Sequence, residues 1–186
     1  MSSLTSSQLM KPYRRGTLMA FRWIRRLMYG RGHGIHSPMA FGLVYTVVRP
    51  YSGYYDYPLL SRRGTPDALL WYRMLARFVP REIAYRLEDR TTQQLLEWAQ
   101  SLAVSTPREE GQFILATDQV REAERVLTEE QEAVVLLLGV RKGREREQEF
   151  VSYLESGRHK GVVLDLYDSA ILLNNNNELY YYRTTL

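Results

Sequence analysis

From Thr17 to Met28 the apolar residues Leu18, Met19, Phe21, Trp23, Ile24, Leu27 and Met28 recur at close to helical spacing, with Arg22, Arg25 and Arg26 between them. That pattern predicts a basic amphipathic helix. Glycines at 30, 32 and 34 break it, since repeated glycine has no helical preference. Ser37-Pro38 then supplies a serine N-cap and a proline at the first helical position, predicting a helix from Pro38 to about Val48 that ends near Pro50. An aromatic, turn-rich linker follows (Tyr51, Tyr54, Tyr55 and Tyr57 with Gly53 and Pro58), and Thr65-Pro66-Asp67 repeats the capping pattern for a helix reaching about Phe78.

Beyond Pro80 the periodicity alternates. Strands are predicted at Ile83–Leu87 and Gln112–Ala116, and helices at Thr92–Ala103 and Gln119–Leu127. Ala133 to Gly139 (AVVLLLG) is a continuous apolar run, as expected of a strand buried on both faces. Gly143–Glu155 reads as a helix whose apolar side is Phe150, Val151 and Leu154. The chain closes with two β-type runs, 161–173 and 179–186, joined by four asparagines and Glu178. Asparagine tolerates left-handed turns, so this reads as a β-hairpin. Tyr180 and Tyr182 would share one face of its second strand and Tyr181 the other. Alternating strands and helices closing in an antiparallel hairpin imply an α/β fold, a three-layer sandwich on a mixed sheet. It carries an N-terminal helical extension, so the organisation is an arm and linker over residues 1–64 and an α/β domain over 65–186.

Charge divides the chain at the same place. Residues 1–64 hold ten Lys/Arg against the single acid Asp56, a net +9, whereas the rest is −5 and the whole 186-residue chain +4. A basic arm on a mildly acidic body suggests an anionic partner, RNA or a membrane surface, engaged through residues 11–63. The other reading packs the arm back on its own domain. A homodimer is a further candidate assembly. The chain has no cysteine, which removes disulfides and thiolate chemistry and fits a reducing compartment. No apolar run approaches the ~20 residues that span a bilayer, and residues 1–10 are polar and serine-rich, so the cytoplasm is the expected location.

Candidate chemistry is sparse. Arg31, His33, His36 and the cap residue Ser37 could form an anion site at a helix start, although a rigid structural turn uses the same residues and is favoured. No acid or cysteine near His33 and His36 completes a metal site. His159, in Ser156-Gly157-Arg158-His159-Lys160, reads as part of a solvated turn. Arg141, Lys142 and Arg144 follow the most hydrophobic strand and could bind phosphate, although a solvated helix start is favoured. Glu88 and Asp89 fall at the end of the first strand and Asp118 at the end of the second, while Asp165 and Asp168 lie in the hairpin; none has a histidine partner in sequence, and Asp118 reads as a helix cap. An α/β fold takes its ligand at the carboxyl ends of the strands, and a nucleotide-like cofactor there needs glycine in the first strand-to-helix turn. That turn is Glu88-Asp89-Arg90-Thr91-Thr92, and no glycine occurs between Gly64 and Gly111.

Four stretches together resemble a bacterial group of class I S-adenosylmethionine-dependent methyltransferases: 30–41 (GRGHGIHSPMAF), 76–99, 133–154 and 164–173 (LDLYDSAILL). The resemblance implies a Rossmann-like fold. The residues that carry the family's chemistry depart from it. Its cofactor-loop glycines would fall near Leu87 and Thr91, its Asp-Ile-His signature near Gly139, Val140 and Arg141. The chain is also short between the first strand and Ala133, as though part of the central sheet were missing. The expectation is a methyltransferase-like protein without cofactor or catalytic residues, serving as a binding or assembly module. The alternative is an active enzyme that holds S-adenosylmethionine through an atypical loop.

Overall fold

A computed structural model describes residues 37–48, 64–103, 109–174 and 179–184. Ser37 accepts a hydrogen bond from the Ala40 amide at 3.4 Å and opens α1 (Pro38–Leu43), which continues as one π-helical turn, Val44–Val48. Thr65 does the same for α2 (Pro66–Arg77), accepting from the Ala68 amide at 3.2 Å. Both helices thus begin where a hydroxyl satisfies an orphan amide and proline needs no donor. Pro80, expected only to stop α2, is the first residue of β1 (Pro80–Arg86), a position where a strand loses nothing by lacking an N–H. There follow α3 (Arg90–Ala103), β2 (Gln112–Thr117), α4 (Val120–Glu129), β3 (Ala133–Leu138), α5 (Arg144–Glu155), β4 (Gly161–Asp165), β5 (Ser169–Asn174) and β6 (Tyr180–Arg183).

The six strands form one mixed sheet in the order β1-β2-β3-β5-β4-β6. β1, β2 and β3 are parallel, β5 runs antiparallel between β3 and β4, and β6 is parallel to β4. The terminal hairpin therefore differs from the expected one. Its two strands are β4 and β5, with the turn at 166–168 inside what read as a single β run. The asparagine segment leads instead to β6, which pairs with β4 and not with β5. Period-2 patterning marks strand faces but not partners, so the two arrangements have the same sequence signature.

Helices cover both faces. One face packs Ile114, Leu136, Leu164 and Ile171 against α1, α2 and α3, where Trp71, Leu70 and Met74 are fully buried. The other packs Leu115, Val135, Val163 and Leu172 against α4 and α5 through Ala123, Phe150 and Tyr153. This placement fixes the relative hand of the crossovers. β1–α3–β2, β2–α4–β3 and β3–α5–β4 all step the same way across parallel strands, but α3 lies on one face and α4 and α5 on the other. The first crossover is therefore opposite in hand to the other two.

Tyr181 faces the α4/α5 layer and Tyr182 the α1–α3 layer, so the tyrosines pack on the sheet in the alternation expected of them. Among the described residues no helix is long and apolar enough to cross a membrane.

Candidate functional site

The carboxyl ends of β1 to β4, the start of β5 and the end of β6 share one edge of the sheet. Because α3 and α4 leave β1 and β2 toward opposite faces, the crevice between those two strand ends is where such a fold would receive a ligand.

The protein's own side chains hold that position. Asp89 precedes α3 and accepts the Thr91 amide at 3.0 Å, the Thr92 amide at 3.2 Å and the Thr92 hydroxyl at 2.6 Å. The helix N-terminus that would meet a cofactor's anionic group is thus capped by a carboxylate of the same chain. The Thr92 hydroxyl first, then the Thr91 amide, lower the Asp89 pKa. Across the crevice, Arg146 from the first turn of α5 reaches Glu88 after β1 at 2.8 Å and Asp118 after β2 at 3.5 Å. Gly139, at φ +63, lies beside it, and a Cβ there would make ordinary contact with an Arg146 guanidinium nitrogen at 3.4 Å. Asp118 does not cap α4, as its position suggested. Gln119 begins that helix with no side-chain cap, its amide bonding the Thr117 hydroxyl at 3.1 Å, while Asp118 turns to Arg146. The other Asp118 oxygen is buried without a hydrogen-bond partner.

A second cluster lies over β4 and β5. Asp165, the last residue of β4, is fully buried. Arg141 binds both its oxygens, at 2.8 and 2.6 Å, Arg183 approaches at 3.2 Å, the Tyr167 amide donates at 2.9 Å and the Tyr181 hydroxyl donates as well. Burial alone would raise the Asp165 carboxyl, but the Arg141 hydrogen bonds and charge prevail and hold it at about 2. Burial, then the Asp165 charge, push the Tyr181 phenol up. The Arg141 guanidinium also stacks over the Tyr167 ring, 5.0 Å from its centroid. Arg141 was expected at a solvated helix start; it is instead 14% exposed and turned inward, where its planar fork meets both oxygens of the Asp165 carboxylate. Nearby, burial and then the Asp168 charge raise the Asp67 carboxyl in the first turn of α2.

His159 is a further correction. It is 3% exposed rather than solvated, its ring 5.9 Å from that of Tyr153, and burial lowers it to about 4. It lines a cavity of about 190 Å³ at the opposite end of the sheet, with Glu124, Tyr153, Arg158, Lys160 and Asn174. Of the proposed anion site only Ser37 is described, as the α1 cap; Arg31, His33 and His36, like the rest of the basic arm through residue 36 and residues 49–63, lie outside the described residues. Among the described residues no group of three His, Cys, Asp or Glu could hold a metal ion.

Glu88 and Asp118 were visible as strand-end acids; Asp165 read as lying within the hairpin, and only the β4–β5 turn makes it the last residue of a strand. Arg146 was not visible, because nothing local in the charged run Arg144-Glu145-Arg146-Glu147 distinguishes the arginine that turns toward the sheet. No family model matches the chain, and no curated protein and no solved structure matches it either.

Proposed function

We propose that this chain is a methyltransferase-like α/β protein of Rossmann type that has given up cofactor and catalysis and serves as a binding or assembly module. The observation that carries the reading is the set of side chains gathered at the carboxyl ends of β1 and β2. Asp89 takes up the α3 amides, and Arg146 lies across the ends of β1 and β2 between Glu88 and Asp118. The topology supports it too. In a doubly wound sheet of order 3-2-1-4-5-6 the first helix lies on one face and the helices after strands 4 and 5 on the other. Loss of strands 2 and 3 from such a sheet would join strand 1, through its helix, directly to strand 4 and reverse that crossover's hand. This is the arrangement of β1–α3–β2, and it accords with the short segment before Ala133.

Titration calorimetry with S-adenosylmethionine and S-adenosylhomocysteine tests the reading. No binding heat is expected for either. Micromolar binding of one of them overturns it and favours the active enzyme with an atypical loop.

The charge of residues 1–64 supports a second reading, in which the arm binds RNA or an anionic lipid surface. Counterion release makes such binding steeply salt-dependent, so an affinity unchanged between low and high salt counts against it.

A further inference from the structure

β1 is an edge strand: β2 pairs with one side of it, and among the described residues no strand pairs with the other. Seven residues is long for an edge, and the side that no described strand pairs with presents backbone donors and acceptors to any chain able to pair with it. Three features of this edge define the partner that fits.

The first is direction. The Arg86 carbonyl accepts the Thr117 hydroxyl at 2.9 Å and so faces β2. Successive peptide groups of a strand alternate, so Arg86, Ala84 and Glu82 present their backbone groups to β2, and Tyr85 and Ile83 present theirs outward. The second is the order of side chains. Glu82-Ile83-Ala84-Tyr85-Arg86 reads as acid, apolar, small, apolar, base, a sequence complementary to its own reverse. The third is the state of the outward Tyr85 carbonyl. The exposed Arg86 side chain folds back and donates to it at 3.0 Å, standing in for a missing strand.

We propose that β1 pairs antiparallel with β1 of a second copy about a two-fold axis at Ala84, joining two six-stranded sheets into one. In that register Ile83 lies opposite Tyr85 of the other copy as a hydrogen-bonded pair, and their outward amides and carbonyls satisfy one another. Ala84 meets Ala84 as a non-hydrogen-bonded pair, where backbones approach most closely and a small residue fits. Glu82 falls opposite Arg86 twice, also at non-hydrogen-bonded positions, where side chains are nearest and opposite charges stabilise the pairing. The incoming strand takes over the Tyr85 carbonyl and frees Arg86 to reach that glutamate. Arg81 does not compete, since it is held by Glu130 at 2.8 Å. The opposite edge, β6, offers only four residues and has Arg183 turned inward to Asp165. The interface is isologous, as two-fold dimers require, and it does not depend on whether the carboxyl edge takes a cofactor.

Charge exchange on the full chain tests both the dimer and its register. Sedimentation velocity over a concentration series at low salt should show a monomer–dimer equilibrium. E82R places arginine opposite Arg86, and R86E places glutamate opposite Glu82, so each single variant should dimerise about tenfold more weakly. Mixing the two restores both opposite-charge pairs and should return a heterodimer of wild-type affinity. Both side chains are exposed, so the variants leave the core intact, which matching circular dichroism and melting curves would verify. A wild-type chain that stays monomeric, single variants that dimerise as wild type, or a mixture that does not recover each overturns the proposal.

Discussion

Arg141, just beyond the end of β3, grips the buried carboxylate of Asp165 at the end of β4 through both terminal guanidinium nitrogens, at 2.8 and 2.6 Å. The two strands are not neighbours: β5 lies between them. The pair therefore spans three strands at the carboxyl edge of β3 and β4. Removing the arginine leaves a buried charge with only Arg183, Tyr181 and the Tyr167 amide around it. Loss of one partner of a buried pair costs roughly 3–5 kcal/mol, and the remaining donors put Arg141→Ala at the low end, about 3 kcal/mol. Urea denaturation of variant and wild type measures it; a loss below about 1 kcal/mol would mean that Arg183 alone suffices.

The same carboxylate gives stability a defined acid limit. Its folded pKa, about 2, lies below the ordinary 3.8, so the folded state binds fewer protons than the unfolded chain over that interval. The contribution is complete above pH 4 and disappears as pH falls toward 2. Denaturation midpoints should drop across this window in the wild type. Asp165→Asn, less stable at neutral pH, should show a shallower fall, and parallel curves would refute the assignment.

Arg146 separates a half-buried ion pair from an exposed one on a single side chain. Glu88 is 62% exposed and Asp118 only 12%, so water screens the first pair and not the second. Double-mutant cycles should give a coupling of about 1 kcal/mol between Arg146 and Asp118 and close to zero between Arg146 and Glu88, despite the longer distance of the Asp118 contact. The reverse order of couplings would show distance outweighing burial.

What could be read along the chain and what could not divide along this same line. The apolar run of β3, the capped starts of α1 and α2 and the alternation after Pro80 are local, each fixed by a few neighbouring side chains, and their boundaries fall within a few residues of those expected. The asparagine segment carried a turn signal but no information on which strand β6 would join. Arg146 and Glu88 are 58 residues apart and meet only because β1, β2 and β3 lie side by side. The inward turn of Arg141 needed Asp165 to be placed first. The glycine-free turn after β1 was legible as an absence, but the Arg146 contacts to Glu88 and Asp118 beside it emerged only from tertiary packing.

Glycine's role is sharpest at Gly161, which opens β4 opposite Asn174 at φ +150. A Cβ there would sit 2.0 Å from the Leu173 carbonyl oxygen, backbone that cannot move without breaking the β4–β5 ladder. Gly157 also has a positive φ, +66, but open space around it. Gly157→Ala should therefore cost only the conformational term, about 1 kcal/mol, and Gly161→Ala about 3 kcal/mol or more from strain and collision together. Thermal melts of the two variants separate these contributions, and equal losses would mean that the ladder yields.

His159 sets a second pH limit, distinct from that of Asp165. Burial lowers its pKa from 6.5 to about 4, so the folded state disfavours a proton that the unfolded chain accepts. Stability attached to the neutral ring is fully present above pH 6.5 and declines as pH falls toward 4, by about 3 kcal/mol over the interval. The Asp165 loss begins only below that point, so the two groups act in adjoining windows. His159→Gln should flatten the stability profile between pH 6.5 and 4 and leave the fall below pH 4 unchanged. Comparing the variant with wild type isolates His159 from His33 and His36, which both proteins retain. Urea midpoints at half-unit pH intervals provide the measurement; a variant with the wild-type slope between pH 6.5 and 4 would place the acid sensitivity elsewhere in the chain.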